Sequence, residues 1–462
     1  GAQANKTKTE QFVDRFAGYY TPLVVALAIL TAAVPPLLIS EPITVDVAGY
    51  GLFFGDGWRT WFIRGLTLLV IACPCAFVIS TPVSVVSGIT SAAKNGVLIK
   101  GGDHLEAMGE VDAVAVDKTG TLTKGELAVT DVVPFGDTDE STLLRYAAGI
   151  EQRSEHPIAD AIVTRSEEAG VAELPEPTSF ESLTGRGIRA EIDVSGEVGG
   201  SSDGGETYYA GKPALFADLG FDLSRPAATD GGVSAATATE STGPAVGETL
   251  AALEQDGKTV VLVGTDSELL GAVAIADEVR PVAKRAVERL HELGVEHVVM
   301  LTGDNEGTAR AIAEEVGVDE YRAELLPEGK VEAIEELQEK YGTVAMVGDG
   351  INDAPALATA DVSVAMGAAG TDTALETADI ALMGDDIGKL PYLYSLSHTA
   401  NGVIRQSIWA SLGVKFLLAL GVPLGLVSVA VAVVVGDMGM SLGVTGNAMR
   451  LSRVQPDSAF ES

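Results

Sequence analysis

"VDAVAVDKTGTLTKG" (residues 111–125) decides the fold. An apolar run suited to a buried strand ends in Asp117, and the chain then turns through Thr119 and Gly120. Two later runs end the same way. "VEHVVMLTGDN" (295–305) delivers Asp304, and "GTVAMVGDGINDAP" (342–355) delivers Asp349 and Asp353. Helical patterns stand among them, "RPVAKRAVERLHELG" (280–294) and "EGKVEAIEELQEK" (328–340). Strand alternating with helix predicts a parallel α/β sheet whose strand-end loops converge on one crevice. Aspartates gathered in one crevice repel one another unless a cation sits among them, and hard oxygen ligands favour Mg²⁺ shared with a phosphate. Asp117 is the candidate nucleophile for a phosphoryl group, with Mg²⁺ and Lys330 neutralising the charge in transit. One aspartate after a strand would be read as a turn or a helix cap; three ordered motifs argue for a site.

The rest of the chain surrounds this core with apolar blocks. At 462 residues several domains are expected. A formal net charge of −35 argues against nucleic acid as partner and reads first as a solvation strategy, such as life in high salt. Residues 19–40 and 65–93 carry no charge, and 407–449 carries only Lys415 and Asp437. Each of the first two reaches the roughly 20 residues that a bilayer requires, and the third is long enough for two helices joined at "GVPLG" (421–425). Four spans place both ends on one side. Lys6, Lys8, Arg15, Lys94, Lys100, Arg405, Arg450 and Arg453 flank that side, which makes it cytosolic, and the opposite loop 41–60 is mostly acidic. The expected location is a cell membrane, with the soluble domains in the cytosol.

"LLVIACPCAF" (68–77) holds both cysteines of the chain. One intervening residue disfavours a bridge between Cys73 and Cys75, so they are read as thiols. Pro74 removes a backbone hydrogen bond and unwinds the helix, turning sulfurs and freed carbonyls inward. Paired thiolates bind Zn²⁺, Cd²⁺, Pb²⁺ or Cu⁺. Asp437 is a hard oxygen ligand, suited to a divalent ion rather than Cu⁺. Lys415 is expected to pair with Asp437 when no metal is held. Met438 and Met440 keep a Cu⁺ alternative open.

"DKTGTLT", "TGDN" and "GDGINDAP", in this order, resemble the signature segments of P-type ATPases. With "CPC", "SEHP" (154–157) and the terminal hairpin, they resemble the heavy-metal-transporting, zinc/cadmium/lead-type subgroup. The resemblance implies a multi-domain membrane protein: an α-helical transmembrane bundle and a haloacid dehalogenase-like, Rossmann-like α/β phosphorylation domain with an inserted α+β nucleotide-binding domain. It implies ATP-driven export of a heavy-metal ion through an aspartyl phosphate, with bilayer, ATP, Mg²⁺ and metal as partners. Asp117 is then phosphorylated, and Thr119 helps hold phosphate and Mg²⁺. Thr302, Gly303 and Asp304 face the nucleotide phosphates, Lys330 faces the transferred phosphoryl, and Asp349 holds Mg²⁺ with Asn352 and Asp353 beside it. Glu155, His156, Gly185 and Gly187 lie around the adenine, the glycines letting backbone approach the ring. Cys73, Cys75 and Asp437 bind the transported metal, supported by Pro74 and Lys415.

The expected division is 1–110 for two helices and a stalk, 111–125 and 271–392 for the phosphorylation domain, 126–270 for the nucleotide-binding domain with a disordered insert near 224–248, and 393–462 for the terminal hairpin. Phosphatases of the haloacid dehalogenase type are the rival, but they carry a second aspartate where this chain has Thr119. A membrane metal sensor would not need the phosphate-site motifs. The Thr-Gly-Glu tripeptide of the family's actuator domain does not occur, so the chain reads as the carboxyl-terminal portion of a longer pump, expected to phosphorylate slowly at most once.

Overall fold

Helix α1 (Lys8–Ala33) opens the chain in a computed structural model that describes residues 8–38, 43–47, 50–54, 57–154, 156–171, 173–183, 186–192, 206–223, 246–349, 353–367 and 378–457. The chain divides into two compact units. One comprises Gly1–Ala115, Arg285–Val298 and Val331–Ser462, the other Val116–Lys284 and Val299–Lys330.

The first unit holds four helical stretches long and apolar enough to cross a membrane: Gln11–Leu38, Gly57–Lys94, Lys389–Gly421 and Val429–Arg453. The first begins before residue 19, because Phe12, Phe16 and Tyr20 stack in sequence along one face of α1 and Val13 is buried. A short α2 (Pro35–Leu38) precedes a hairpin of β1 (Ile43–Val47) and β2 (Tyr50–Phe54). Helix α3 (Gly57–Ile71) crosses α1 at Gly65, where a side-chain carbon would stand 2.8 Å from the Ala28 carbonyl and from Ala32. Small residues let helices approach this closely where lipid supplies no hydrophobic drive. The chain breaks at Cys73 and Pro74 and resumes as α4 (Cys75–Lys94).

After α4 come β3 (Val97–Ile99), α5 (Gly102–Met108) and β4 (Ala113–Asp117), the last buried at every residue, as a central strand of an α/β sheet must be. It passes from the first unit into the second. There the loop after Asp117 leads into β5 (Thr123–Pro134), the edge of a six-stranded antiparallel sheet. Along it follow α6 (Glu140–Glu151), α7 (Pro157–Glu168), β6 (Pro177–Leu183), β7 (Gly187–Ile192), β8 (Glu206–Gly211), α8 (Pro213–Asp218), α9 (Val246–Gln255), β9 (Thr259–Thr265) and β10 (Leu269–Val279). The spatial order is β5-β10-β9-β8-β7-β6. Alternate residues of β9 serve two cores. Val261 and Val263 pack with Leu143 and Ile162 of α6 and α7, while Val260 and Leu262 pack with Phe216 and Leu250 of α8 and α9. A strand buried on both faces is thus covered by helices on each. Because β5 and β10 pair from Thr123 to Pro134, this inserted domain is wider at both ends than 126–270. Most of the expected insert, 224–245, lies outside the described residues, and Val246–Glu248 already belong to α9.

Helix α10 (Pro281–Glu292) and β11 (His297–Leu301) follow, then α11 (Glu306–Val316), β12 (Glu320–Arg322) and α12 (Pro327–Tyr341). Within the second unit β11 pairs β12 in parallel. In the first, β13 (Val344–Gly348) pairs β14 (Val362–Ala365) in parallel, with α13 (Ala354–Thr359) as the crossover. Strand β14 pairs β15 (Ile380–Leu382) in parallel, and β3 closes the edge antiparallel. The parallel pairings are those that the alternating pattern predicts. Helix α14 (Lys389–Gly421) enters the membrane bundle. The last span is α15 (Val429–Val433), a π-helical turn (Val434–Gly439) and α16 (Met440–Ala448).

Candidate functional site

Three places carry chemistry, each within one unit. The first is Asp117 at the end of β4. Its Oδ1 accepts a 2.6 Å hydrogen bond from Lys330 Nζ, and both side chains are buried, at 6% and 11% exposure. Lys330 reaches it from the first turn of α12, which Pro327 opens; proline is tolerated there because the first N–H groups of a helix have no partner. A carboxylate and an ammonium this close and this little exposed make a strong, charge-assisted hydrogen bond. Thr119 follows in extended backbone and Gly120 at a φ of +73°, a conformation that suits glycine.

Asp304 ends β11 in the same unit. Thr302 is buried, and its hydroxyl accepts from the Asp304 N–H at 3.1 Å; Gly303 lies against the Leu325 carbonyl; Asn305 caps α11 by accepting from the Thr308 N–H. Asp304 meets Lys118 Nζ at 2.8 Å, a partner that the motif reading did not foresee. Lys118, Asp277 and Asp304 line a cavity of about 900 Å³. Asp349 and Asp353 belong to the other unit, Asp349 just past β13 and Asp353 buried at the start of α13. Asn352 lies outside the described residues, as do Glu155 and Gly185.

The second place is a cavity of about 250 Å³ in the inserted domain, lined by Glu151, Ser154, His156, Gly187 and Lys212 among others. His156 caps α7, its Nδ1 accepting from the Ile158 N–H at 3.2 Å, which puts the neutral ring's proton on Nε2. The ordinary role of a histidine at a helix start and a place in the cavity are combined in one residue. Gly187 lines the cavity, and its lack of a side chain has a reason in the sheet as well. Its φ is +154°, and a side-chain carbon would stand 2.2 Å from the Ala210 carbonyl, so the neighbouring strand β8 excludes a side chain here.

Glu151 is the residue that motif reading missed, four positions before the "EH" pair. It closes α6 with 7% of its surface exposed. Burial pushes its carboxyl up to about 7, against a hydrogen bond with Ser154 that lowers it. A buried acid in a run of otherwise apolar residues, "YAAGIE" (146–151), was the available signal. Between its ordinary value of 4.5 and about 7, the unfolded chain releases this proton and the folded one keeps it. Stability from this group is therefore full below pH 4.5 and falls by about 3 kcal/mol as the pH rises through 7. Glu151→Gln should flatten that slope in the thermal midpoint of the protein measured from pH 5 to 8. An unchanged slope would show the carboxyl to be ionised throughout.

The third place is in the membrane bundle. The sulfurs of Cys73 and Cys75 and a carboxylate oxygen of Asp437 lie within 4.8 Å of one another. Pro74 ends the preceding helix and brings the two cysteine Cα atoms to 5.5 Å, and the sulfurs are joined as a disulfide. This corrects the reading of two thiols: the break in the helix gives the backbone the freedom that one intervening residue otherwise denies. The π-helical turn presents Asp437, whose Oδ1 is buried without a hydrogen-bond partner among the described residues. Such turns recur at functional sites. Lys415 is buried on α14 and donates to the Cys73 carbonyl, a partner not foreseen, while it stays within electrostatic reach of Asp437. The helix break frees that carbonyl in apolar surroundings, where an unpaired acceptor is costly. Met438 is 57% exposed.

Residues 111–361 match the family model of haloacid dehalogenase-like hydrolases. The chain is 44% identical over 456 residues to a probable cadmium-transporting ATPase of Alkalihalophilus pseudofirmus, covering 98% of this chain and 57% of that protein. It is 41% identical over 454 residues to the zinc/cadmium/lead-transporting P-type ATPase of Escherichia coli K12, covering 98% and 54%. It therefore spans a little over half the length of these relatives. Among solved structures it is similar to a zinc-transporting PIB-type ATPase in an E2.Pi state, at 40% identity and a TM-score of 0.76, covering 96% of this chain and 66% of that one.

Proposed function

Since this chain belongs to the haloacid dehalogenase-like hydrolases and, within them, to the P-type ATPases, we propose that it couples phosphoryl transfer from ATP to the export of a divalent heavy-metal ion of the zinc, cadmium and lead class. The observation that carries the metal class is the gathering of two sulfurs and one carboxylate within 4.8 Å in the membrane bundle. Sulfur selects soft and borderline cations, and the carboxylate favours a divalent one. An ionisable residue inside a membrane costs about 2.5–3.5 kcal/mol on insertion scales and is retained for function. A thiol reductant from outside the chain would open the bond between the two sulfurs by exchange, giving two thiols that bind metal once they lose their protons.

In the phosphoryl step an Asp117 carboxylate oxygen bonds to the γ-phosphorus as the bond to the leaving ADP oxygen breaks, and Lys330 balances the charge of the transferring group. Positioning and charge supply most of the rate in such transfers. Asp349 and Asp353, both in the first unit, offer hard carboxylate oxygens, which suit Mg²⁺. Mg²⁺ would neutralise phosphate charge there. The small cavity with Glu151 and His156 is assigned to the adenine. His156→Ala should weaken ATP binding roughly tenfold and leave the phosphoryl step unchanged; calorimetry on the full chain checks this, and an unaltered affinity would remove His156 from the nucleotide site. The location proposed is a cell membrane, with the inserted domain and Asp117 on the cytosolic side.

The test is metal-dependent phosphorylation of the full chain from radiolabelled ATP, in reductant, across Zn²⁺, Cd²⁺, Pb²⁺ and Cu⁺. Stimulation by the three divalent ions is expected. Stimulation by Cu⁺ alone would replace the proposed substrate.

A further inference from the structure

We propose that Ser411, which belongs to none of the motifs above, supplies a further oxygen ligand to the divalent cation held by Cys73, Cys75 and Asp437. The proposal rests on the metal reading of that cluster and deepens it.

Ser411 is fully buried, and among the described residues its hydroxyl has no hydrogen-bond partner. Hydroxyls of membrane helices ordinarily turn back onto a carbonyl of their own helix, which satisfies them without outside help. Thr67 donates in this way to Ile63 O at 2.8 Å, Ser80 to Phe77 O at 2.8 Å, and Thr445 to Ser441 O at 2.9 Å. Ser411 does not. Its oxygen is left for another group, in surroundings where an unmet polar atom is costly.

Its neighbours on α14 fix where it faces. Ile404, Ile408, Ser411 and Lys415 recur at the spacing of one helix face, and all of them are buried. At one end of this stripe Ile404 and Ile408 pack with Phe77, two residues beyond Cys75. At the other end Lys415 donates to the Cys73 carbonyl. Ser411 stands between these two contacts, so it faces the break of the span at Cys73 and Cys75. The Lys415 ammonium has no lone pair and cannot be a ligand. Asp437 brings a second buried oxygen without a partner among the described residues, its Oδ1. The π-helical turn that carries it packs on α14, where a side-chain carbon at Gly436 would stand 2.9 Å from Leu418. Two sulfurs and one carboxylate make three donors, whereas Zn²⁺ is held by four in tetrahedral sites. A neutral hydroxyl adds a hard donor without adding negative charge. It favours a divalent ion over Cu⁺, which sulfur satisfies.

The experiment uses the full chain in detergent and reductant, with Zn²⁺, Cd²⁺ and Cu⁺ as probes. Affinity of Ser411→Ala for Zn²⁺ and Cd²⁺, by competition with a chelating dye, should fall about tenfold, the low end for groups that support a metal site, since water can stand in for a lost oxygen. Its affinity for Cu⁺ should stay within about twofold of the parent. Ser411→Cys turns the same position into a reporter. With Cd²⁺ bound, the sulfur-to-metal charge-transfer band should gain about half its parental intensity, as a third thiolate joins two. Without metal and under mild oxidation, a bridge from position 411 to Cys73 or Cys75 should appear in peptide mass spectra, which requires Cα atoms within about 7 Å. Equal divalent affinity in parent and Ser411→Ala, an equal loss for Cu⁺, or a Ser411→Cys chain with neither the added band nor the bridge overturns the proposal. A parent chain that binds no divalent ion fails the metal reading, and this ligand with it, even where the bridge still places Ser411 beside the sulfurs.

Discussion

Asp117→Asn is expected to abolish acid-stable, hydroxylamine-labile label from radiolabelled ATP, a loss of at least about 10³-fold. The amide is nearly isosteric with the carboxylate and keeps an oxygen for Lys330 Nζ, which stands 2.6 Å from Asp117. Binding of ATP should therefore survive, since the proposed adenine cavity lies elsewhere, among Glu151, His156 and Gly187. What is lost is the nucleophile itself. Lys330→Ala should be milder, on the order of 10²- to 10³-fold, the cost of removing one preorganised charge-stabilising donor. It carries a second effect, because the Asp117 carboxylate is left in a buried setting without its cation. A fall in thermal midpoint should accompany both Lys330→Ala and Asp117→Asn, since each removes one charge of the buried pair. Label that persists in Asp117→Asn would move the nucleophile to another residue.

Asp437→Ala should cost more divalent-metal affinity than the roughly 10- to 100-fold lost when a mere outer partner of a metal ligand is removed. Each of Cys73→Ser and Cys75→Ser should do the same. Of the three groups that lie within 4.8 Å, the carboxylate alone is a hard ligand. Asp437→Ala should therefore hurt Zn²⁺ far more than Cu⁺, and the cysteine variants should hurt both. Binding should weaken as the pH falls, because thiols must lose protons to become ligands. It should also require reductant, since the two sulfurs are bonded to each other. Equal Zn²⁺ affinity in parent and Asp437→Ala, measured by competition with a chelating dye in reductant, would take Asp437 out of the site. Lys415→Met should leave equilibrium affinity closer to the parent, as its ammonium is engaged with the Cys73 carbonyl.

Much of this was legible locally. A strand that runs apolar into Asp117, and a span interrupted by Pro74, are statements about neighbours in the chain, and periodicity and proline chemistry read neighbours well. The four spans and the parallel pairings of β11 to β15 belong to that class. The partners of side chains do not. Lys415 was assigned to Asp437 because opposite charges in one apolar hairpin attract, and it does feel that charge, but its hydrogen bond goes to a carbonyl freed at residue 73 by a helix break. Glu151 was passed over because an acid at the end of an amphipathic helix usually faces water; only the packing of α6 on the sheet buries it. Asp277 and Arg280 lie within ordinary-looking sequence, and their bonds to Thr123 depend on a strand returning to the loop that the chain left about 150 residues before.

The bond between Lys330 and Asp117 joins residues 213 positions apart, with the whole inserted domain strung between them. During synthesis Asp117 emerges long before its ammonium partner. Chains of this kind fold domain by domain as they are made, at about 5–20 residues per second, so the nucleophile waits on the order of ten seconds for Lys330. Closing so long a loop directly would be slow, since non-local contacts are rewarded only after loop-closure entropy is met. The antiparallel pairing of β5 with β10 shortens the task, because it returns the chain to Thr123 by Val279 and leaves about fifty residues to close. A nascent chain arrested before α12 should thus hold a folded nucleotide cavity and an Asp117 that still lacks the Lys330 ammonium, and ring binding should appear on the ribosome before phosphorylation does.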